Sequence, residues 1–322
     1  MKLIRPSFEI LEQKPRAIAI PADMEIGPRM VREELLSSVY RQIEIAGRTC
    51  YKSEDKITDT SAKEFVERMV KSGHGAMLEH GTVYLLLNMA SRQQYFKYCS
   101  NPYSVANSTG EAEKGTWLGF VTTNYRVLVE NNWLDDLQYI CEPGKEHEKR
   151  ITVKFVCDRG VSHEFVRHRV FSFAQESTRY CNYSKDKFGN ELTFIIPCWL
   201  DIPEDTYTLG KLRSKDNPEQ TCMVEISENH DAYNVESAIG KFLHVLDYSS
   251  DRYMELINEG WKPQQARAVL PNSLKTELIM TGTIEQWKGF FVLRDAPSAH
   301  PQARELAEPL HAEFIKRGWL NS

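Results

Sequence analysis

Residues 167–180 read RHRVFSFAQESTRY, a stretch dense in groups able to hold an anion. Arg167, His168 and Arg169 stand in a row as three cations, and Gln175, Ser177 and Arg179 follow on alternate positions. On a helix successive side chains point about 100° apart, so the first three cannot converge on one ligand atom. They fan out instead: Glu164, Arg167 and His168 share a polar face, while Phe165, Val166 and Val170 make an apolar stripe. In an extended chain Gln175, Ser177 and Arg179 share one side. An amide, a hydroxyl and a guanidinium can each donate to phosphate oxygens. The stretch therefore offers two anion-binding clusters, although RHR alone also fits a solvated helix end running into a polar loop.

The rest of the chain bounds what those clusters serve. Its 322 residues are 41% hydrophobic and 26% charged, enough to bury a core in one large domain or two ordinary ones. A formal charge of −5 argues against bulk nucleic-acid binding, which shows as a strongly basic domain. A local concentration of Arg and His in an acidic body suits a small anion better than a polymer. The cysteines at 50, 99, 141, 157, 181, 198 and 222 form no CxxC pair and read as buried free thiols in a reducing cytoplasm. MKLIRPSFEI does not read as a signal peptide, and no apolar run approaches a membrane span, so a cytoplasmic location is expected. His163 and His168 are five apart and cannot share a helix face as HExxH requires, so no metal is expected.

The periodicity places these residues on elements. Val31, Leu35, Val39 and Ile43 predict a helix, and Ser61 with Glu64 predicts a capping box opening a second helix that runs to Gly73. TVYLLLNM (82–89), 151–157 and KTELIMTGT (275–283) read as strands. After the turn Asp158-Arg-Gly160, Ser162 is expected to cap a short helix carrying RHR. Further helices are expected over about 231–258, over 262–271, along IEQWKGFFVLR, and from Pro301 to Gly318. Residues 100–115, 141–150 and 201–220 read as loops. With no βαβ rhythm and no GxGxxG turn, the expected class is α+β, a mixed sheet packed with helices in a single domain.

RHR followed by Ser177 and by Arg179-Tyr180 resembles the signature of the flavin-dependent thymidylate synthases. SGHGAMLEH (72–80), ARAVLP (266–271), and FFVLR (290–294) with Ala299-His300 resemble other segments of that family in order and spacing. The resemblance implies a single domain over 1–322, expanded at about 81–150 and 185–230. It implies reductive methylation of dUMP to dTMP with FAD, with NADPH as reductant and 5,10-methylenetetrahydrofolate as carbon donor. It also implies a homotetramer whose active sites lie between subunits. By motif position, Arg167, His168 and Arg169 would hold FAD, with His74, Glu79 and His300 lining its site. Glu164, Arg167, Gln175, Ser177, Arg179 and Arg267 would hold the nucleotide, and Arg294 would face the uracil.

Some positions depart from the family's pattern: Glu164, Cys50 and, where the resemblance implies the adenine-side contacts, Thr283, Glu285 and Gly289. Read by themselves, His74 and His80 suit a helix C-terminus, Arg267 a helix cap, and Arg294 a surface position. Cys181, two residues after Arg179, reads as a buried thiol rather than a nucleophile. Two other functions fit the same residues: a non-catalytic nucleotide- or RNA-binding module stacking bases on Phe171, Phe173 and Tyr180, and an NADPH-oxidising flavoprotein without methyl transfer.

Overall fold

Nine residues, KTELIMTGT, form the centre of the fold. In the computed structural model, which describes residues 1–14, 28–185, 189–213, 221–229 and 231–321, they make a strand with seven consecutive buried positions. Burial on both faces requires a layer on each side. The elements preceding it are β1 (Lys2–Ile4), β2 (Ser7–Leu11), α1 (Pro28–Tyr51), α2 (Ser61–Lys71), α3 (Gly75–Leu78) and β3 (Thr82–Asn88). Next come α4 (Arg92–Cys99), β4 (Val105–Thr109), β5 (Leu118–Asn124), α5 (Tyr125–Glu130), β6 (Arg150–Asp158), α6 (Arg159–Phe165) and β7 (Ser172–Gln175). Then follow β8 (Thr193–Ile195), β9 (Asp205–Arg213), β10 (Thr221–Ser227), β11 (Ala232–Asn234), α7 (Ala238–Asn258) and α8 (Pro263–Ala266). The central strand is β12 (Lys275–Thr283), followed by α9 (Ile284–Arg294) and α10 (Pro301–Lys316).

β12 lies in an antiparallel sheet of order β2-β6-β12-β7. Its side chains alternate between faces. Leu278 and Met280 join Val153, Phe155 and Cys157 beneath the helical layer that contributes Phe165, Phe290, Leu306 and Phe314. Trp287 of α9 is fully buried there, and its indole Nε1 donates to the Ile151 carbonyl at 3.1 Å. Truncating such a side chain to Ala typically costs about 3–5 kcal/mol. On the other face Ile279 meets Ala174 of β7 and Ala46 of α1. Gly47 permits α2 to approach α1 closely, since a Cβ there would stand 2.4 Å from the Phe65 ring. The remaining strands form a mixed sheet, β11-β10-β9-β1-β8, in which β1 and β8 are parallel, and a smaller antiparallel one, β3-β5-β4. The class is α+β, as expected.

Several local expectations are corrected. Ser61 does not cap α2: it donates instead to the Glu44 carboxylate at 2.9 Å, and Thr60 occupies the N-cap. Asp158, a stronger acceptor four residues before Ser162, caps α6. The stretch 201–220 is not a loop throughout, since Asp205–Arg213 pairs with β10; residues 214–220 lie outside the described residues. Gly210 hides that hairpin from a composition-based reading, yet its missing side chain makes room for Ile226, whose Cδ1 lies 2.6 Å from where a Cβ would sit. Residues 100–115 contain β4, and the helix expected from 231 begins at Ala238, capped by Ser237, after β11. Cys99 and Cys198 are exposed rather than buried. Among the described residues no helix is long and apolar enough to cross a membrane, and no group of His, Cys, Asp and Glu is placed to hold a metal.

Candidate active site

The site begins where β6 ends. Asp158 Oδ1 accepts the Val161 amide at 2.6 Å and starts α6, which closes at Phe165. RHR therefore lies in the turn after the helix and not on it. The His168 amide donates to the Phe165 carbonyl at 3.1 Å and the Phe171 amide to the His168 carbonyl at 3.0 Å. That turn sends His168 inward against Phe290, ring centroids 5.0 Å apart, and leaves Arg167 and Arg169 exposed. Neither exposed guanidinium has a hydrogen-bond or ion-pair partner among the described residues.

Arg294, in the last turn of α9, closes over the same place. Its Nη1 donates to the Glu164 carboxylate, its Nη2 to the Glu164 carbonyl at 2.7 Å, and its Nε to His168 Nε2 at 3.0 Å. A ring nitrogen that accepts from a guanidinium carries no proton, so His168 is protonated on Nδ1 only. Burial, and then the Arg294 charge, lower the His168 pKa to about 4. His168 is thus neutral near pH 7. The three cations expected in a row are two cations and a neutral ring.

Gln175 sits opposite Leu278, on the α6 side of the sheet, and its Nε2 donates to Ser162 Oγ at 2.8 Å. His300 precedes α10 and meets Trp199 edge-on at 6.1 Å. A cavity of about 340 Å³ runs beside this group, with Glu164, His300, Trp199, Phe242 and Asn272 in its wall.

A second group forms at the end of β7. The expected alternation stops at Ser177, where the chain turns, and the Ser177 amide donates to the Cys50 carbonyl at 3.0 Å. Ser177 Oγ accepts the Arg179 amide at 3.3 Å, and Arg179 Nε donates to Gln264 Oε1 at 3.2 Å. Arg267 Nη1 donates to Thr178 Oγ1 at 3.1 Å, which brings Arg179 and Arg267 to one surface. The Tyr180 ring lies 5.4 Å from that of Tyr51, whose hydroxyl meets His74 Nδ1 at 3.2 Å. His74 thereby joins Ser177, Arg179 and Arg267. Glu79 is ion-paired to Arg126 at 2.5 Å, whose guanidinium lies against Gly75 next to His74, while the Glu79 carbonyl accepts from Arg150 at 3.0 Å.

Sequence reasoning missed Tyr51, Arg126, Arg150 and the state of His80. His80 is fully buried against Thr281 Oγ1 at 2.8 Å, and burial, then Arg150, push its pKa down to about 3. Tyr51 adjoins Cys50 in GRTCY, which was a usable signal; Arg126 lies 47 residues from Glu79 and offered none. Among the departures, Thr283 caps α9 by accepting the Gln286 amide at 3.2 Å, while Glu285 and Gly289 are exposed. Cys50 is raised to about 11 by burial, so it carries no thiolate at neutral pH. Cys181 is buried, as read from the sequence.

Residues 146–317 match the family described as thymidylate synthase complementing protein, more than half of the chain. The chain belongs to that family. A flavin-dependent thymidylate synthase of Pyrococcus furiosus is 29% identical over 205 residues, covering 62% of this chain and 70% of the relative. One of Corynebacterium glutamicum is 28% identical over 176 residues, covering 53% and 61%. The chain thus aligns with only part of each relative's length. A solved UMP/dUMP methylase of Streptomyces cacaoi is 16% identical and overlaps 98% of this chain and 93% of its own, at a TM-score of 0.38. That superposition is too loose to bear on the fold.

Proposed function

We propose that the chain, acting as one domain, catalyses the reductive methylation of dUMP to dTMP. FAD is its cofactor, NADPH the reductant and 5,10-methylenetetrahydrofolate the carbon donor. The observation that carries the reading is the Glu164–Arg294–His168 group standing beside two unspent guanidiniums, in a member of this family.

The residues present fit an anionic flavin dinucleotide. Arg167 and Arg169 are exposed with no partner among the described residues, and Val170, next in the chain, is 65% exposed. Two free cations beside exposed apolar surface suit a pyrophosphate joined to a flat ring system. His168, being neutral, serves as a hydrogen-bonding wall rather than a charge. When bound, FAD supplies the hydride that the methylation requires.

Ser177, Arg179 and Arg267 hold the nucleotide phosphate and sugar, while Gln175, turned to the α6 face with its amide on Ser162, stands with the Arg294 group instead. Arg294 has given three of its five N–H groups to Glu164 and His168. The other two remain for a uracil carbonyl or N3, where charge develops as C5 becomes electron-rich; fixed donors aimed at developing charge act most strongly in the transition state. Glu164 neutralises part of the guanidinium charge and fixes its plane. The Glu164 and Ser177 groups lie on opposite faces of the sheet, which supports sites completed by a second copy of the chain, as in the homotetramer that the family resemblance implies.

The test is product formation from dUMP, 5,10-methylenetetrahydrofolate and NADPH, with and without added FAD. Thymidylate dependent on all four is the expected result. NADPH oxidation indifferent to dUMP would favour a flavoprotein reductase, and a colourless protein that binds nucleotide without turnover would favour a binding module.

A further inference from the structure

We propose that Glu176, a carboxylate buried beneath the Ser177–Tyr180 turn, is a positioning residue for nucleotide binding, held in place by Lys275 and Tyr183. The proposal rests on reading that turn as the phosphate cradle.

Strand geometry sets Glu176 apart from its neighbours. Gln175 points toward α6, so Glu176 points the other way, toward α1. It is 2% exposed. A carboxylate removed from water is tolerated only when paired and hydrogen-bonded. Here Oε1 accepts the Tyr183 hydroxyl at 3.0 Å and Oε2 accepts Lys275 Nζ at 2.9 Å. Lys275 also reaches Glu277 Oε1 at 2.6 Å, and Glu277 takes Lys52 at 2.5 Å and Lys154 at 2.6 Å. Burial would raise the Glu277 carboxyl, yet the ammoniums of Lys275, Lys52 and Lys154 outweigh it and hold the group far below the usual carboxylate range.

The network grips the cradle from both sides. From β12, the Glu277 carbonyl accepts the Glu176 amide at 2.8 Å. From the end of α1, the Cys50 carbonyl accepts the Ser177 amide. Two residues on, Lys52 has a φ of 46°, a left-handed conformation that a lysine seldom adopts. The conformation goes with an ammonium placed on Glu277. Helix end, central strand and turn are therefore fixed by one set of charges. Donors to a phosphate must be held to about 0.5 Å to function, and none of Glu176, Lys275 or Glu277 needs to touch the ligand to achieve this.

The experiment uses the flavin-loaded enzyme and dUMP. Dissociation constants come from calorimetry and KM and kcat from the thymidylate assay, for Glu176→Gln, Lys275→Met and Lys275→Arg. We expect Glu176→Gln and Lys275→Met each to raise Kd and KM for dUMP about tenfold, the loss of one hydrogen bond to a charged group. The value of kcat and the flavin content should stay within about twofold, and Lys275→Arg should bind dUMP close to wild type. Unchanged dUMP affinity in folded Glu176→Gln overturns the proposal. If that variant does not fold, Tyr183→Phe removes only the hydroxyl, and an unchanged Kd there overturns it equally. A wild-type enzyme that fails to bind dUMP overturns the reading of the cradle, a failure separable from equal binding by wild type and variants.

Discussion

A guanidinium can offer a ligand only the bonds it has not already made. Arg169 has made none among the described residues, while Arg294 has made three, so the two should fail differently when removed. Arg169→Ala should fold with wild-type stability, because exposed unpaired charges contribute within about 0.5 kcal/mol, yet purify with little flavin. The ratio of flavin to protein absorbance reads this directly, and full occupancy would remove Arg169 from the cofactor site. Arg294→Ala leaves Glu164 without its cation and His168 without the charge beside it. We expect the His168 pKa to rise from about 4, measurable by NMR titration, together with a lower melting temperature. The nucleotide-dependent step should slow by roughly 10²–10³, the usual effect of losing an oxyanion-type donor. Wild-type flavin reoxidation on mixing the reduced variant with dUMP and methylenetetrahydrofolate would make Arg294 a structural arginine. The types of these residues were legible in the sequence, but their partnerships were not. Glu164 and Arg294 are 130 positions apart, and no local pattern announces that one will occupy the other or that His168 will be neutral.

Among the elements, β12 and the long helices were legible because their periodicity is strong and their burial two-sided or amphipathic. Caps and the β9–β10 hairpin were not, because a tertiary partner decided them: Glu44 took the Ser61 hydroxyl, and Ile226 needed the space at Gly210. The same competition explains His80. SGHGAMLEH suggested a histidine at a helix end, yet α3 delivers it into the α1 face of the sheet, beside Thr281 and Thr152. Its folded pKa of about 3 lies below the ordinary histidine value of 6.5. Between those values the unfolded chain binds a proton that the folded chain refuses, so stability rises with pH across that window. The contribution is complete above 6.5 and is lost as the pH falls toward 3. The slope for one such proton is about 1.4 kcal/mol per pH unit. Urea unfolding at pH 7, 6 and 5 should therefore show a shallower acid loss for His80→Gln than for wild type. Parallel curves would mean that folded His80 takes up its proton over the same pH range as in the unfolded chain.

At the scale of the molecule, the acidic chain carries the groups proposed to hold its ligands in two places, one packed under α9 and the other where α1, β7 and α8 meet. The first holds Glu164, His168 and Arg294; the second holds His74, Ser177, Arg179 and Arg267. On the proposed reading, a ligand with one phosphate and one pyrimidine ring draws on both, and its sites are then shared between copies of the chain. Shared sites have a consequence that sites within one chain lack. Arg294→Ala and Arg179→Ala each disable a different group, so each alone should be nearly inactive. When the two are co-expressed and assemble at random, about a quarter of shared sites receive both intact groups. Recovery of roughly that fraction of wild-type thymidylate formation is expected from the mixed assembly, and none from the two variants purified separately and combined just before the assay if subunit exchange is slow. A mixed assembly with no more activity than its parents would place both groups of each site in a single chain.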